Sequence, residues 1–585
     1  MFLITTGDQR FWKIDEPVLF LGEWCRIYYE RHIWGKLDFE ILPYHWDNRK
    51  KLYEDYIYIN NIYERILTQL TVLLNKYHGE NHSLRYWRII IGPWLFCFIG
   101  ILYDRYLSIR LAEESGKVTN TYIMEHNIED WIPTDYNKFF QWHREDEYNQ
   151  YLYSTIIELA SKLKFERKNI RNSNKQGNTV ENLSKRSKTI IKNIINKINK
   201  IIPEKYNNIV FLSPYLTRIK SMQLQLSLRQ IPWIYYSNIR TPDSKINTEK
   251  RGGILLNDSD DRFIRLLKII IPEQIPQSYI ESYGLLKDEV FKVYPLNPKI
   301  IFTSNDHFHN EGFKIWAASC VEKGTKFVGM QHGGFEGLGL FFSTEDHQKK
   351  IWDRYYTWGW QEYSCKKIVP LSANKLTGIK IKSNTGGRIL MVNTNFSRYF
   401  YAMQAMPIGS SGVEQYLQYI FKFIHHLNMK VRNLLTIRLN PHDIKDFQKK
   451  YIGSEFPDLK LYLGTKSMYE QMRECRLFIC NNNGTTYLEA FAANFPSILF
   501  WNPGQWELRD SAKPFFDDLQ RVGILHYTPE TAAELVNDIY EDPMSWWMQD
   551  EVQVAKNNFC YEFARTSKNW LKEWAGFLKQ LTKEI

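Results

Sequence analysis

The chain has 585 residues, 44% of them hydrophobic and 15% aromatic, which allows about two to four folded domains and excludes a disordered chain. Seven Cys (Cys25, Cys97, Cys320, Cys365, Cys475, Cys480 and Cys560) are scattered without a CxxC pair, against a disulfide scaffold or zinc ribbon and for a reducing compartment. The net charge of +11 is local: 12 Lys and Arg face only Glu166 and Glu181 between Lys162 and Lys200, and no RNP, KH or zinc-finger pattern accompanies them, so no nucleic-acid partner is expected.

The start, MFLITTGDQRFW, lacks the basic and apolar regions of a secretory signal. Val18 to Leu21 reads as a compact buried strand with Gly22 and Glu23 at its C-terminal end, where open α/β sheets bind ligands. From about Leu52 to Ala112 the pattern is helical. Its apolar run, Ile89 to Tyr103, is broken by Gly92-Pro93 and shorter than the roughly 20 residues of a span, so a buried helix is expected. The polar segment that carries the excess charge reads as a solvated insertion, and contact with anionic lipid is the competing reading. Strand–helix alternation follows, with strands at Ile209 to Tyr215, at Ile231 to Tyr236, at KIIFTSNDHF running into Asn305-Asp306, and at Lys326 to Gly334.

Leu371 to Gly387 is turn-rich and reads as a linker. Beyond it a second α/β unit begins with strands at Arg388, Leu434 and Leu459, and a long helix from Gly412 to Val431. The run NNNGTTYLEAFAANFPSILFW, Asn481 to Trp501, reads as loop, helix and strand. Free N–H groups at such a helix start suit phosphate, with Asn483, Gly484, Thr485 and Thr486 lining the approach. The end of the chain is helical and Trp-rich.

Three further constellations sit where strands meet loops. In QHGG, His332 can hold an anion or carry a proton, Gln331 and Gly333 flank it, and the glycines admit substrate to the backbone. Asp306, His307 and His309 form D-H-x-H, where a substrate-facing loop is favoured over a metal site, and Asp306 suits a general base if burial raises its pKa. Arg438, His442 and Asp443 follow a strand, Arg438 with the fork geometry for phosphate. The clearest D-x-D, Asp258 to Asp260, lies in a polar stretch after an apolar run too short to be a firm strand.

Four stretches carry a resemblance over nearly the whole chain: TTGDQRFW with PVLFLGEWC, LPYHWDNRKKLYEDY (Leu42 to Tyr56), SLRYWRIIIGPWL (Ser83 to Leu95) and NGTTYLEAFAANFPSILFWNPGQWELR (Asn483 to Arg509). They resemble a spirochaete-type transferase family of bacterial surface-polysaccharide gene clusters. More distantly, QHGG and the Arg438 to Asp443 loop are similar to elements of transferases that use CMP-activated sugars, although those carry His-Pro where this chain has Pro441-His442.

The resemblance implies a GT-B-like α/β protein with two Rossmann-like parallel-sheet domains and a C-terminal helix closing back on the N-terminal one. The acceptor-side domain is expected over residues 1–375, with a helical subdomain at about 50–160 and the basic insertion at about 162–205. The donor-binding domain is expected over 386–540, followed by helices over 541–585. The implied activity is inverting, metal-independent glycosyl transfer from a nucleotide-activated sugar to a glycan or lipid-linked acceptor, in the cytoplasm with peripheral contact to the inner membrane and without a cofactor. Glu23, Asp306 and His332 are the catalytic candidates. Gly22, Gln331, Gly333, Arg438, His442, Asn483, Gly484, Thr485, Thr486 and Glu489 are the substrate-binding ones. A CDP-polyol phosphotransferase and a non-catalytic glycan- or lipid-binding scaffold on the same frame are the alternatives.

Overall fold

The computed structural model describes residues 1–169, 208–233, 239–440, 447–464 and 466–584, the side chain of residue 410 excepted. Its strands form three parallel sheets. The first joins β1 (Phe2–Ile4), β2 (Val18–Phe20), β3 (Phe39–Ile41), β4 (Asn120–Met124) and β5 (Phe165–Lys168) in the order β3-β2-β1-β4-β5. The second runs in simple succession through β6 (Ile209–Leu212), β7 (Ile300–Thr303), β8 (Lys326–Met330), β9 (Arg354–Thr357) and β10 (Ile368–Pro370). The third joins β11 (Arg388–Val392), β12 (Leu435–Arg438), β13 (Lys460–Tyr462), β14 (Cys475–Cys480), β15 (Ser497–Phe500) and β16 (Leu525–His526) as β13-β12-β11-β14-β15-β16.

The central strands are apolar on both faces because crossover helices cover both, as parallel sheets require. Register follows from that burial: Leu3 pairs with Leu19, and Met391 with Ile479. The first and third sheets each reverse strand order, beside β1 and β11, which opens a crevice at their C-terminal ends.

Two long helices separate β3 from β4. Arg49–His78 starts at Asn48, whose side chain accepts from the Lys51 amide at 3.1 Å, and ends at Gly79, left-handed at φ 66°. Leu84–Glu114 starts at Ser83 and contains Pro93. It is long and apolar enough to cross a membrane, yet its apolar window is wholly buried, between Asp146–Ala160 of the first domain and Glu311–Glu322 of the second. The buried helix expected at Ile89 to Tyr103 is therefore present.

The α/β parallel-sheet class is the one expected, with three sheets, two of them before residue 375. The first sheet is built from strands of three to five residues, too short to register against 30-residue helices in a periodicity reading. The expected basic insertion begins inside it. Phe165–Lys168 is edge strand β5, where charged side chains discourage further pairing, and residues 170–207 lie outside the described ones. Ile231 to Trp233 is not a strand, and residues 234–238 lie outside as well.

The last helix, Trp570–Lys583, returns to the second sheet. Trp574 packs on Phe302 and its indole donates to the Ser372 carbonyl at 3.0 Å; Phe577 meets Tyr356 edge-on. The second and third domains facing each other, with the chain end crossing back onto the former, form the GT-B arrangement.

Candidate active site

In parallel sheets the loops after the strands share one end, so the turns leaving β8 and β14 can face each other across two domains. They do. Gly334 donates its amide to Thr485 Oγ1 at 2.9 Å. A Cβ on Gly334 would stand 2.5 Å from the Gly484 carbonyl oxygen, and one on Gly333 3.7 Å from Thr485 Oγ1. Gly334 is what lets these backbones meet, whereas a Cβ on Gly333 would make only ordinary contact, and the approach joins two motifs that are far apart in the chain.

His332 lies at this junction, half-buried. Its Nδ1 is 2.7 Å from Oε1 of buried Glu336, and its amide donates to the same oxygen at 3.4 Å. The Tyr355 hydroxyl donates to Glu336 Oε2 and lies 3.0 Å from Gln348 Oε1. Burial and the neighbouring Glu336 carboxylate push the Tyr355 hydroxyl well above its ordinary pKa, so it stays a donor. Nδ1 is buried close to this carboxylate without an aligned hydrogen bond to it, and Nε2 is the other ring nitrogen, open to a substrate by a change of rotamer or contact. Glu336 escaped the sequence reading; its one signal was a carboxylate four residues beyond a strand-end histidine.

Gln331, expected to bind substrate, is 1% exposed. Its Nε2 donates to the Gly333 and Glu336 carbonyls (2.8 and 3.2 Å), and its Oε1 accepts from the Trp358 amide and Trp360 indole (2.9 and 2.8 Å). With its amide spent on the loop it is a brace. Asp306, at the end of β7, is half-buried; burial raises its carboxyl pKa against the opposing pull of Ser213 and Asn310. The D-H-x-H residues do not converge: His307 turns into the core against Trp352, where burial and then nearby His347 and His332 push it well below its ordinary pKa. Among the described residues no group of three or more His, Cys, Asp or Glu is arranged to hold a metal ion. In the D-x-D stretch, Asp258 pairs with Lys268, and the next acid, Asp261, caps the Arg262–Gln274 helix.

On the third domain Gly484, Thr485 and Thr486 are half-buried. Buried Asn483 accepts from the Tyr487 hydroxyl at 2.9 Å, while its Nδ2 has no partner among the described residues. Asn481 donates to Asn393 Oδ1 at 2.9 Å and accepts from the Tyr416 hydroxyl at 2.7 Å, tying the ends of β14 and β11 together at the crevice. Glu489, expected to bind substrate, is buried and 2.8 Å from Lys375 Nζ, a residue of the segment joining the second and third domains. Tyr469 lies beside it, pushed up by burial and by that carboxylate.

Arg438 donates to the Lys466 carbonyl at 2.9 Å and to Gln471 Oε1. Burial lowers its pKa, and among the described residues no carboxylate pairs with it. His442 lies outside the described residues.

Glu23 is elsewhere. It sits on a turn after β2, with Arg26 Nε donating to its Oε2 at 3.1 Å, and lines a cavity of about 370 Å³ between the first and third domains that no junction residue borders. A Cβ on Gly22 would lie 2.3 Å from the Trp24 ring, so that glycine serves the packing of Trp24.

Among solved structures the chain is similar to TarM (12% identity, TM-score 0.34, 52% of this chain and 58% of TarM covered). It is also similar to Acinetobacter baumannii MurG (10%, 0.32, 64% and 99%). A third likeness is to WaaG, a glycosyltransferase involved in lipopolysaccharide biosynthesis (11%, 0.30, 63% and 98%). The chain thus spans less than two thirds of TarM. No curated protein matches it. The LIC12162 family transferase model matches residues 1–578, and the chain belongs to that family of transferases.

Proposed function

We propose that this transferase moves a glycosyl group from a nucleotide-activated sugar to a hydroxyl of a glycan or lipid-linked saccharide in bacterial surface-polysaccharide synthesis. The observation that carries this reading is the junction itself: a carboxylate-braced histidine on one domain meets a Gly-Thr-Thr helix start on the other. His332 Nε2 takes the proton of the acceptor hydroxyl, whose oxygen attacks the anomeric carbon. The bond from that carbon to the donor phosphate breaks, and its electron pair leaves with the phosphate. Glu336, 2.7 Å from Nδ1, offsets the imidazolium charge that forms.

The leaving phosphate is met by the amides and hydroxyls of Gly484, Thr485 and Thr486 and by Arg438, which has no carboxylate partner among the described residues. One displacement inverts the anomeric centre. Lys375, on Glu489, ties the donor helix to the segment between the domains, and Asp306 lies near the acceptor side with a raised pKa.

Thermal-shift titration with CMP, CDP, UDP and GDP and their sugar conjugates tests the donor side. One nucleotide should stabilise the protein, and Arg438→Ala and Gly484→Val should abolish the shift. Glu336→Gln should keep the shift and lower kcat about 10²- to 10⁴-fold. No shift with any nucleotide, or a phosphodiester in the product, would overturn the proposal. Activity lost to EDTA and restored by Mg²⁺ would overturn its metal-independent form.

A further inference from the structure

The cavity that holds Glu23 has no part in this transfer scheme. It lies at the C-terminal end of the first sheet, beside the strand reversal: Asp146, on its wall, accepts from the amide of Gly7, which follows β1, at 3.0 Å. The third domain supplies the opposite wall. At about 370 Å³ it has room for a saccharide unit or two.

Its lining selects a ligand class. Tyr28, Tyr29 and Trp34 from the first domain, with Phe396, Phe447 and Tyr451 from the third, are all half-buried, so rigid rings border the space from both sides. Three arginines on the wall face four carboxylates, an excess of negative charge that disfavours a nucleoside phosphate. Those charges are largely engaged with protein partners: Glu23 with Arg26, Asp146 with Arg398, and Glu414 with the Tyr451 hydroxyl at 2.9 Å. Paired carboxylates keep spare lone pairs for hydroxyl donors. Flat apolar faces beside fixed acceptors match the C–H face and equatorial hydroxyls of an uncharged sugar ring.

We infer that this cavity binds a neutral saccharide: an inner unit of the acceptor chain, away from the hydroxyl that reacts at His332. The acceptor is then an oligosaccharide held by the additional N-terminal sheet. Its assignment to the acceptor rests on the transfer proposed above; saccharide binding does not.

Saturation-transfer NMR with cellobiose, chitobiose and lactose at millimolar concentration tests it on the full chain. At least one should receive magnetisation from aromatic protons. Trp34→Ala and, on the opposite wall, Phe447→Ala should each raise its Kd tenfold or more, while Trp34→Phe stays within a few-fold and His332→Ala has no effect. Two walls and a ring-retaining control keep the test valid if one variant folds poorly. No transfer to any of the three, binding indifferent to both alanine variants, or their displacement by CMP or UMP would overturn the inference. Saccharide binding without any nucleotide shift would sink the transfer reading and leave this site standing.

Discussion

At the scale of single residues, the contrast between Asp306 and Glu345 sets stability against function. Burial raises the Asp306 carboxyl, with Ser213 and Asn310 relieving only part of that cost. A raised carboxyl binds more protons folded than unfolded, so its contribution is favourable below its unfolded pKa and is lost as pH rises through the native one. Asp306→Asn should therefore raise Tm at neutral pH, with the gain fading below about pH 4, while activity falls if the carboxylate serves the acceptor. A Tm gain that is constant across pH would show that the carboxyl is not strained. D-H-x-H already drew attention to Asp306 in the sequence. Its burial, and the turning of His307 into the core, depend on neighbours from the turn after β6 and the Ser343–Ile351 helix that no local spacing reveals.

Among elements, the turns after β8 and β14 decide the site. Both were legible as strand-end motifs, since Gly-Gly and Gly-Thr-Thr after apolar runs are local signals. Their contact was not, because it depends on how two sheets are set against each other. Gly334→Ala places a Cβ 2.5 Å from backbone oxygen of Gly484, where no side chain can yield, so the two turns must part. We expect kcat to fall at least tenfold with a Tm change small by comparison, because the strands beneath are untouched; steady-state kinetics beside calorimetry would separate these. Unchanged kcat would remove this contact from the mechanism. Gln331 makes the complementary point: its type suited substrate binding, and only the four bonds that consume its amide assign it to bracing.

For the whole molecule, Arg509 makes a charged contact between the second and third domains. It donates to both oxygens of buried Glu345 at 3.0 Å and to the Gly339 carbonyl, beside an antiparallel bridge between Gly339 and Leu508. Burial pushes Glu345 up, but Arg509 and then Lys349 outweigh it and hold the carboxyl below its ordinary value. Its contribution is thus present above the unfolded pKa of about 4.3 and is lost as pH falls through the lower native one. Arg509→Ala should cost about 1–3 kcal/mol at neutral pH, because Glu345 keeps Lys349 and the Gly337 amide as partners. That penalty should shrink in acid, measurable as converging denaturation midpoints. A penalty independent of pH would assign the loss to packing.

The sequence by itself determined the long helices, most strands of the third sheet and the main strands of the second, that the sheets are parallel, and that Gly-rich motifs end strands; each of these rests on periodicity, turn chemistry and burial within a few residues. Only the tertiary structure decided that Glu336 completes His332, that Glu489 answers to Lys375, that Glu23 belongs to a separate cavity and that a third sheet walls it. Glu336 is only four residues from His332, but its burial against Tyr355 is a tertiary fact, and the other pairings join separate segments aligned by the packing of large apolar faces, which leaves no trace in local spacing.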